Sequence, residues 1–242
     1  MTDILNIPVA ILAGGLATRM RPLTSKTPKS LLNVAGKPFI AHQLELLRKQ
    51  GIRKVVVCLG YLGERVVEEF GDGHAYDLEI GYSFDGDKLL GTGGALRKAL
   101  PQLGERFFVL YGDSYLTEPF APIAEHFERS GKSGLMTVYR NNGLHDKSNI
   151  VFVDGEIVRY DKKAFVPEML YIDYGLSMLA PSAFSKHKDG EAFDLSVVLQ
   201  DLLRAGDLAA FEVKDRFYEI GSISGLKELD ALLGGKSLGE SK

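Results

Sequence analysis

An α/β fold, Rossmann-like in type, with a doubly wound and mainly parallel central sheet in a three-layer α/β/α arrangement, is what this sequence predicts, and three observations carry the prediction. Short β-branched runs alternate with longer helical patterns through the first half of the chain, as crossover connections between parallel strands require. Four of the predicted strands end in loops rich in glycine or aspartate, the place where open α/β sheets bind ligands. A chain of 242 residues with 45% hydrophobic content is long enough to bury a core on both faces of such a sheet.

Residues 7–13 read as the first strand, an apolar run that enters the turn Gly14-Gly15. A proline-punctuated stretch follows. Over 39–50, Phe39, Ile40, Leu44, Leu46 and Leu47 recur at helical spacing, and Gly51 supplies the stop. Residues 54–59 are the second strand, 64–70 a short helix, 78–84 the third strand, and 94–100 a helix stopped by Pro101. The fourth strand, 107–111, ends in Gly112-Asp113. The second half is richer in strands, at 134–140, 150–153, 156–160 and 170–179, with Asp154-Gly155 as a hairpin turn between the middle two. No repeat, linker or domain boundary interrupts the series. Residues 1–233 are therefore expected to form one domain, and the polar, glycine-rich segment 234–242 a flexible tail.

Composition excludes several function classes. The formal net charge is −3 and no basic block or aromatic-studded basic stripe is present, so nucleic acid is not an expected partner. No stretch approaches the roughly 18 apolar residues of a membrane span, and the first residues lack a signal-peptide pattern. A cytoplasmic protein without a membrane partner is expected. The single cysteine, Cys58, lies in the run Val55-Val56-Val57-Cys58-Leu59, a setting for a buried small hydrophobe rather than a nucleophile. The five histidines are scattered without metal-ligand spacing, which fits surface or helix-packing roles.

The segment with most chemistry is Leu12-Ala13-Gly14-Gly15-Leu16-Ala17-Thr18-Arg19, followed by Thr27-Pro28-Lys29. A strand opening into two glycines exposes consecutive backbone N–H groups that a polyphosphate can approach closely. Arg19 and Lys29 add a forked guanidinium and a point charge beside that cradle. The Walker-type pattern is absent, and so is the dinucleotide pattern Gly-x-Gly-x-x-Gly.

Leu-Ala-Gly-Gly-x-x-Thr-Arg with Pro-Lys about ten residues on resembles the signature of the sugar-1-phosphate nucleotidyltransferases. The resemblance continues through Gly91-Thr92-Gly93-Gly94, Tyr111-Gly112-Asp113, Arg159-Tyr160-Asp161-Lys162, Tyr171-Ile172-Asp173-Tyr174-Gly175 and Phe217-Tyr218-Glu219-Ile220-Gly221, in order and over almost the whole chain. It implies transfer of a nucleoside monophosphate from an NTP to a sugar 1-phosphate, with Mg²⁺ as cofactor, and is compatible with a homo-oligomer. By the same resemblance, Leu12, Ala13, Gly14, Gly15, Gly91 and Thr92 hold the nucleotide, Arg19 and Lys29 contact the triphosphate, and Asp113 binds the metal. Lys162 contacts the sugar phosphate, while Gly112, Asp173 and Gly175 meet the sugar.

Two departures from the family pattern stand out: Ala17 occupies a position often held by glycine, and the second metal carboxylate, usually aspartate, is Glu219. Glutamate reaches one methylene further. Two other classes share parts of the pattern, a nucleotide-binding regulatory module without turnover and a nucleotide-sugar-dependent glycosyltransferase. The set Arg19, Lys29, Asp113 and Lys162 speaks against the first, and the Gly-Gly-x-x-Thr-Arg cradle, which suits a triphosphate better than a diphosphate, against the second.

The base is addressed by hydrogen-bond polarity. In the resembled family the loop after the third strand lies against the base, and here residues 78–96 contain no Asn or Gln but do contain Asp85 and Asp87. A carboxylate can accept from guanine N1–H and N2–H together. GTP is therefore the expected nucleotide, with Asp85 or Asp87 as reader, CTP next and UTP third.

Overall fold

The structure, a computed structural model, describes residues 4–235; of the expected tail, residues 236–242 lie outside the described residues. From the amino end the elements are β1 (Val9–Leu12), β2 (Asn33–Val34), β3 (Lys37–Pro38), α1 (Phe39–Lys49), β4 (Lys54–Leu59), α2 (Glu64–Phe70), β5 (Glu79–Phe84), α3 (Gly91–Leu103) and β6 (Phe107–Tyr111). They continue with β7 (Ser114–Tyr115), α4 (Phe120–Ser130), β8 (Gly134–Arg140), β9 (Ile150–Val153), β10 (Glu156–Tyr160), β11 (Tyr171–Leu179), α5 (Leu195–Arg204), β12 (Leu208–Val213), β13 (Tyr218–Glu219) and α6 (Ile223–Leu233).

A nine-stranded sheet has the order β10-β9-β11-β6-β1-β4-β5, with β8 paired to β11 and β12 paired to β8. In its first half, β6, β1, β4 and β5 run parallel, with β1 at the centre, as doubly wound sheets are built. The antiparallel strand β11 then joins β6, and the β9–β10 hairpin extends that side. Asp154 and Gly155 both adopt positive φ, 51° and 85°, the conformation of a two-residue hairpin turn.

Alternation along the central strands explains the two helical layers. Val9 and Ile11 of β1, with Val55 and Val57 of β4, face a core that also contains Ile40, Leu44 and Leu47 of α1 and Phe120, Ile123 and Phe127 of α4. Ala10, Val56 and Cys58 face the opposite core, with Leu96 and Ala99 of α3 and Val198 and Leu199 of α5. Successive residues of a strand point to opposite faces, so strands covered on both sides read as continuous apolar runs. A third, smaller cluster joins Val34, Phe39, Ile220 and Leu229 and seats α6 beside the β2–β3 hairpin.

Two expectations change. Helix α3 begins at Gly91, so Gly91-Thr92-Gly93-Gly94 is its first turn rather than a preceding loop, and it continues past Pro101 to Leu103. Proline lacks the N–H that a helix interior uses, yet it stands near the end, and fully buried Leu103 anchors the last residues. Helices α4, α5 and α6 and strand β12 were not among the expected elements.

Candidate active site

The carboxyl ends of β1, β4 and β6 are tied together at one edge of the sheet. Ala13 N–H donates to the Cys58 carbonyl at 2.9 Å and Gly112 N–H to the Leu12 carbonyl at 3.0 Å. A side chain at position 112 would place its Cβ 2.4 Å from the Leu12 carbonyl oxygen, closer than atoms pack, so only glycine allows this approach. Above these ends lies a cavity of about 560 Å³. Leu12, Ala13, Gly14, Gly15, Arg19, Lys29, Asp85, Gly91, Thr92, Gly112 and Asp113 all line it, which places these expected site residues around one space, while Asp87 and Glu219 lie outside the lining.

The short strands β7 and β13 bring the backbone segments that carry Asp113 and Glu219 together. Glu219 is in register with Ser114, and Ile220 N–H donates to the Asp113 carbonyl at 2.9 Å. Lys29 Nζ lies 2.6 Å from Asp113 Oδ2, and a Cβ at Gly221 would be 3.3 Å from the same Nζ. Lys29, Asp113 and the Glu219 loop therefore form one charged cluster. Glu219 itself does not line the cavity: its carboxylate accepts from Gly221 N–H and, at 2.7 Å, from the Ser222 hydroxyl. Among the described residues no group of three or more His, Cys, Asp or Glu is placed to hold a metal.

On the side of the cavity toward β11, Tyr111 is the central residue, and the sequence reading gave it no role of its own. It lines the cavity, its hydroxyl donates to Asp173 Oδ2 at 2.8 Å, and Tyr160 donates to the same oxygen at 3.3 Å. Asp173 Oδ1 accepts from Gly175 N–H at 3.0 Å, where Gly175 has φ +93°. Burial and the Asp173 charge hold the Tyr111 phenol well above its ordinary range, so it stays a neutral donor. Asp173, expected to meet the sugar, is not among the cavity-lining residues; both its oxygens accept hydrogen bonds within the protein, and one of them orients Tyr111.

Lys162 follows β10 in a turn fixed by Asp161, whose Oδ1 accepts from the N–H groups of Lys163 and Ala164 at 2.8 and 2.9 Å, an Asx-type turn. It lies outside the cavity lining but at its rim, with Nζ 3.4 Å from the Tyr111 hydroxyl and 3.6 Å from Asp194 Oδ1. Asp194, also not foreseen, caps α5 by accepting from Ser196 N–H at 2.8 Å, and its Oδ2 accepts from the Thr92 hydroxyl at 3.2 Å.

Asp85 and Asp87 part company. Asp85 is 8% exposed and lines the cavity, with Oδ2 accepting from Leu90 N–H at 3.1 Å. Burial raises its pKa against the opposing Leu90 hydrogen bond and Lys98 charge. Asp87 is exposed and not part of the lining, since it follows the positive-φ turn at Gly86. Ser30 and Cys58, which were given no site role, also line the cavity. Ser30 is 2% exposed and its hydroxyl has no hydrogen-bond partner, while burial followed by the Asp85 charge pushes the Cys58 thiol up to about 12, leaving it protonated and inert.

A mononucleotide-sized cavity beyond the carboxyl ends of a doubly wound sheet, edged by Arg19, Lys29 and Asp113, defines a nucleotide-handling α/β protein. The chain belongs to the nucleotidyl transferase family, whose description matches residues 9–229. It is 30% identical over 236 residues, 93% of this chain and 97% of the relative, to the N-acetylmuramate alpha-1-phosphate uridylyltransferase of Neisseria meningitidis serogroup B. It is 28% identical to the D-glycero-alpha-D-manno-heptose 1-phosphate guanylyltransferase of Campylobacter jejuni, covering 87% of this chain and 93% of that one. The solved structure of HddC from Yersinia pseudotuberculosis complexed with GMP-PN superposes with a TM-score of 0.79 at 21% identity, over 93% of this chain and 99% of that one, which confirms the fold.

Proposed function

We propose that this protein transfers a nucleoside monophosphate, from GTP in preference, to a sugar 1-phosphate in glycan biosynthesis, acting in the cytoplasm with residues 1–233 as one catalytic domain. The observation that carries the reading is the convergence of the Leu12–Gly15 turn, Arg19, Lys29 and Asp113 on one cavity. Among the described residues no helix is long and apolar enough to cross a membrane.

An oxygen of the sugar phosphate attacks the α-phosphorus of the NTP, forming one P–O bond and breaking the α–β phosphoanhydride, and pyrophosphate leaves. That oxygen is already anionic at neutral pH, so the protein needs no nucleophile of its own, in keeping with the protonated Cys58 thiol. Arg19 is exposed at the cavity, where its fork can grip phosphate oxygens. Lys29 adds a charge, and the unpartnered Ser30 hydroxyl a donor that a phosphate oxygen would satisfy.

Asp113 and Glu219 suit Mg²⁺, which takes one or two carboxylates and completes its oxygen shell with substrate phosphates and water. Bound there, the metal supplies charge neutralisation at the phosphates. Both carboxylates retain free lone pairs beside the contacts described, so the donor set fits a hard cation. Tyr111, held by Asp173, and Lys162 form the side of the site that receives the sugar phosphate.

Asp85 supports guanine: an acceptor-only side chain inside a largely apolar pocket suits a base that presents two adjacent donors. UTP is the second reading, favoured by the name of the Neisseria relative, a uridylyltransferase. Pyrophosphate release assayed across the four NTPs and a panel of sugar 1-phosphates tests the proposal. A sequential pattern with GTP as the best substrate is expected. A preference for UTP would overturn the base assignment, and ping-pong kinetics the direct transfer.

A further inference from the structure

Asp194 joins the two halves of the site. Its carboxylate touches one residue from each half: Oδ2 accepts from the hydroxyl of Thr92, which lines the nucleotide cavity, and Oδ1 faces Lys162 Nζ at 3.6 Å. The Thr92 hydroxyl in turn accepts from Leu195 N–H at 2.8 Å, and the Phe193 carbonyl accepts from Gly93 N–H at 2.9 Å. The start of α5 is thus stitched to the first turn of α3. The fit is close, since a Cβ at Gly93 would lie 2.4 Å from the Phe193 ring.

We propose that Asp194 is a positioning residue that holds the Lys162 ammonium at the cavity rim, fixed relative to the nucleotide, so that it meets the incoming sugar phosphate. Lys162 has a long flexible stem and is exposed; an unrestrained lysine there would spend rotamer entropy each time it bound phosphate. Two contacts limit its range, the Tyr111 ring, whose centroid is 5.4 Å from Nζ, and Asp194. Of the two only Asp194 carries charge. Its own place is fixed because one oxygen caps α5 and the other receives Thr92. Although burial pulls the other way, the Lys162 charge and the hydrogen bonds from Ser196 and Thr92 hold the Asp194 carboxyl below its ordinary range, so it is anionic at neutral pH.

This inference rests on the reading of Lys162 as the sugar-phosphate contact, and the experiment separates the two. In Asp194→Asn the amide oxygen still caps α5, asparagine being as good an N-cap as aspartate, and the amide nitrogen can donate to Thr92, but the charge facing Lys162 is gone. For a partly exposed pair the expected effect is a rise of about threefold to fivefold in KM for the sugar 1-phosphate, with KM for the NTP and Tm little changed. In the Lys162→Met background the same substitution should have no further effect. A purely structural Asp194 would instead move Tm, or both KM values together, and its effect would persist without Lys162; either result overturns the proposal, as does a lower sugar-phosphate KM in Asp194→Asn. If Lys162→Met leaves the sugar-phosphate KM unaltered, the site reading has failed first. Asp194→Ser, which also caps but cannot reach Lys162, gives the same comparison should the asparagine variant fold poorly.

Discussion

Lys29 Nζ lies 2.6 Å from Asp113 Oδ2 although the two residues are 84 positions apart in the chain. The ammonium holds the carboxylate of the proposed metal site at the wall of the cavity, where both residues are partly shielded from water. A polyphosphate entering the cavity offers Lys29 an alternative anion and offers a cation entering with it the carboxylate. With Asp113 in the proposed metal role, the pair would link nucleotide entry to metal entry through one lysine.

Asp113→Asn tests the metal role directly. The amide preserves shape and can still accept from Lys29, but it loses the charge that a divalent cation requires. Mg²⁺-dependent kcat should fall by about a hundredfold or more with Tm close to the parent value. Near-normal turnover in steady-state assays would remove Asp113 from the site.

Gly112→Ala separates fold from chemistry. The added Cβ would meet the Leu12 carbonyl at 2.4 Å, and backbone cannot swing aside as the end of a side chain can. Overpacking of this kind costs about 1–3 kcal/mol, so a lowered denaturation midpoint is expected, together with weaker nucleotide binding because β1 and β6 must separate where the cavity begins. Unchanged stability in urea titration would show that the strands yield more easily than their hydrogen bonding suggests.

The parallel half of the fold was legible because its strands are buried on both faces and read as unbroken apolar runs, bounded by glycine turns. Helix α5 carries an equally readable signal, Leu195, Val198, Leu199 and Leu202 behind the N-cap Asp194, although the expectations stopped at the strands of the second half. That Arg19, Lys29 and Asp113 would meet at one cavity was an expectation of the family resemblance, carried by the motifs in which they stand. Tyr111, Asp194 and Ser30 were not legible, because their roles depend on partners distant in sequence: Thr92 and Asp194 meet across 102 positions. Asp85 and Asp87 were indistinguishable as letters, and only the turn at Gly86 sends one into the cavity and the other to solvent. The reach of Asp173 was likewise hidden, since nothing local announces that two tyrosines occupy its carboxylate.

Glu219→Gln addresses the longer second carboxylate. It accepts hydrogen bonds within its own loop, and glutamine retains a single acceptor oxygen while losing the charge. If Glu219 shares the metal with Asp113, the Mg²⁺ concentration for half-maximal rate should rise several-fold, and Mn²⁺ binding followed by electron paramagnetic resonance in the presence of nucleotide should weaken in parallel. A lower Tm with an unaltered metal titration would make Glu219 a loop anchor and no more.

The base assignment makes a prediction about pH whose sign follows from burial. Folding raises the Asp85 pKa above the ordinary value of 3.8, so the folded state favours the protonated acid. The resulting stability is fully present below the unfolded pKa and is lost as pH rises through the folded one. Asp85→Asn, which cannot ionise but still offers Leu90 N–H an acceptor, should therefore lose less stability than the parent as pH rises from about 4 toward neutrality. Recognition runs in the opposite direction, because only the ionised carboxylate can accept from both guanine donors. The ratio of kcat/KM for GTP over UTP in the parent should fall as pH drops into the acid range, before carboxylates of ordinary pKa are protonated, whereas Asp85→Asn should show a low ratio that does not vary with pH. Thermal melts and four-nucleotide kinetics on both proteins across that range decide it: a parent ratio independent of pH, or one that survives in Asp85→Asn, would show that Asp85 holds the Leu90 loop without reading the base.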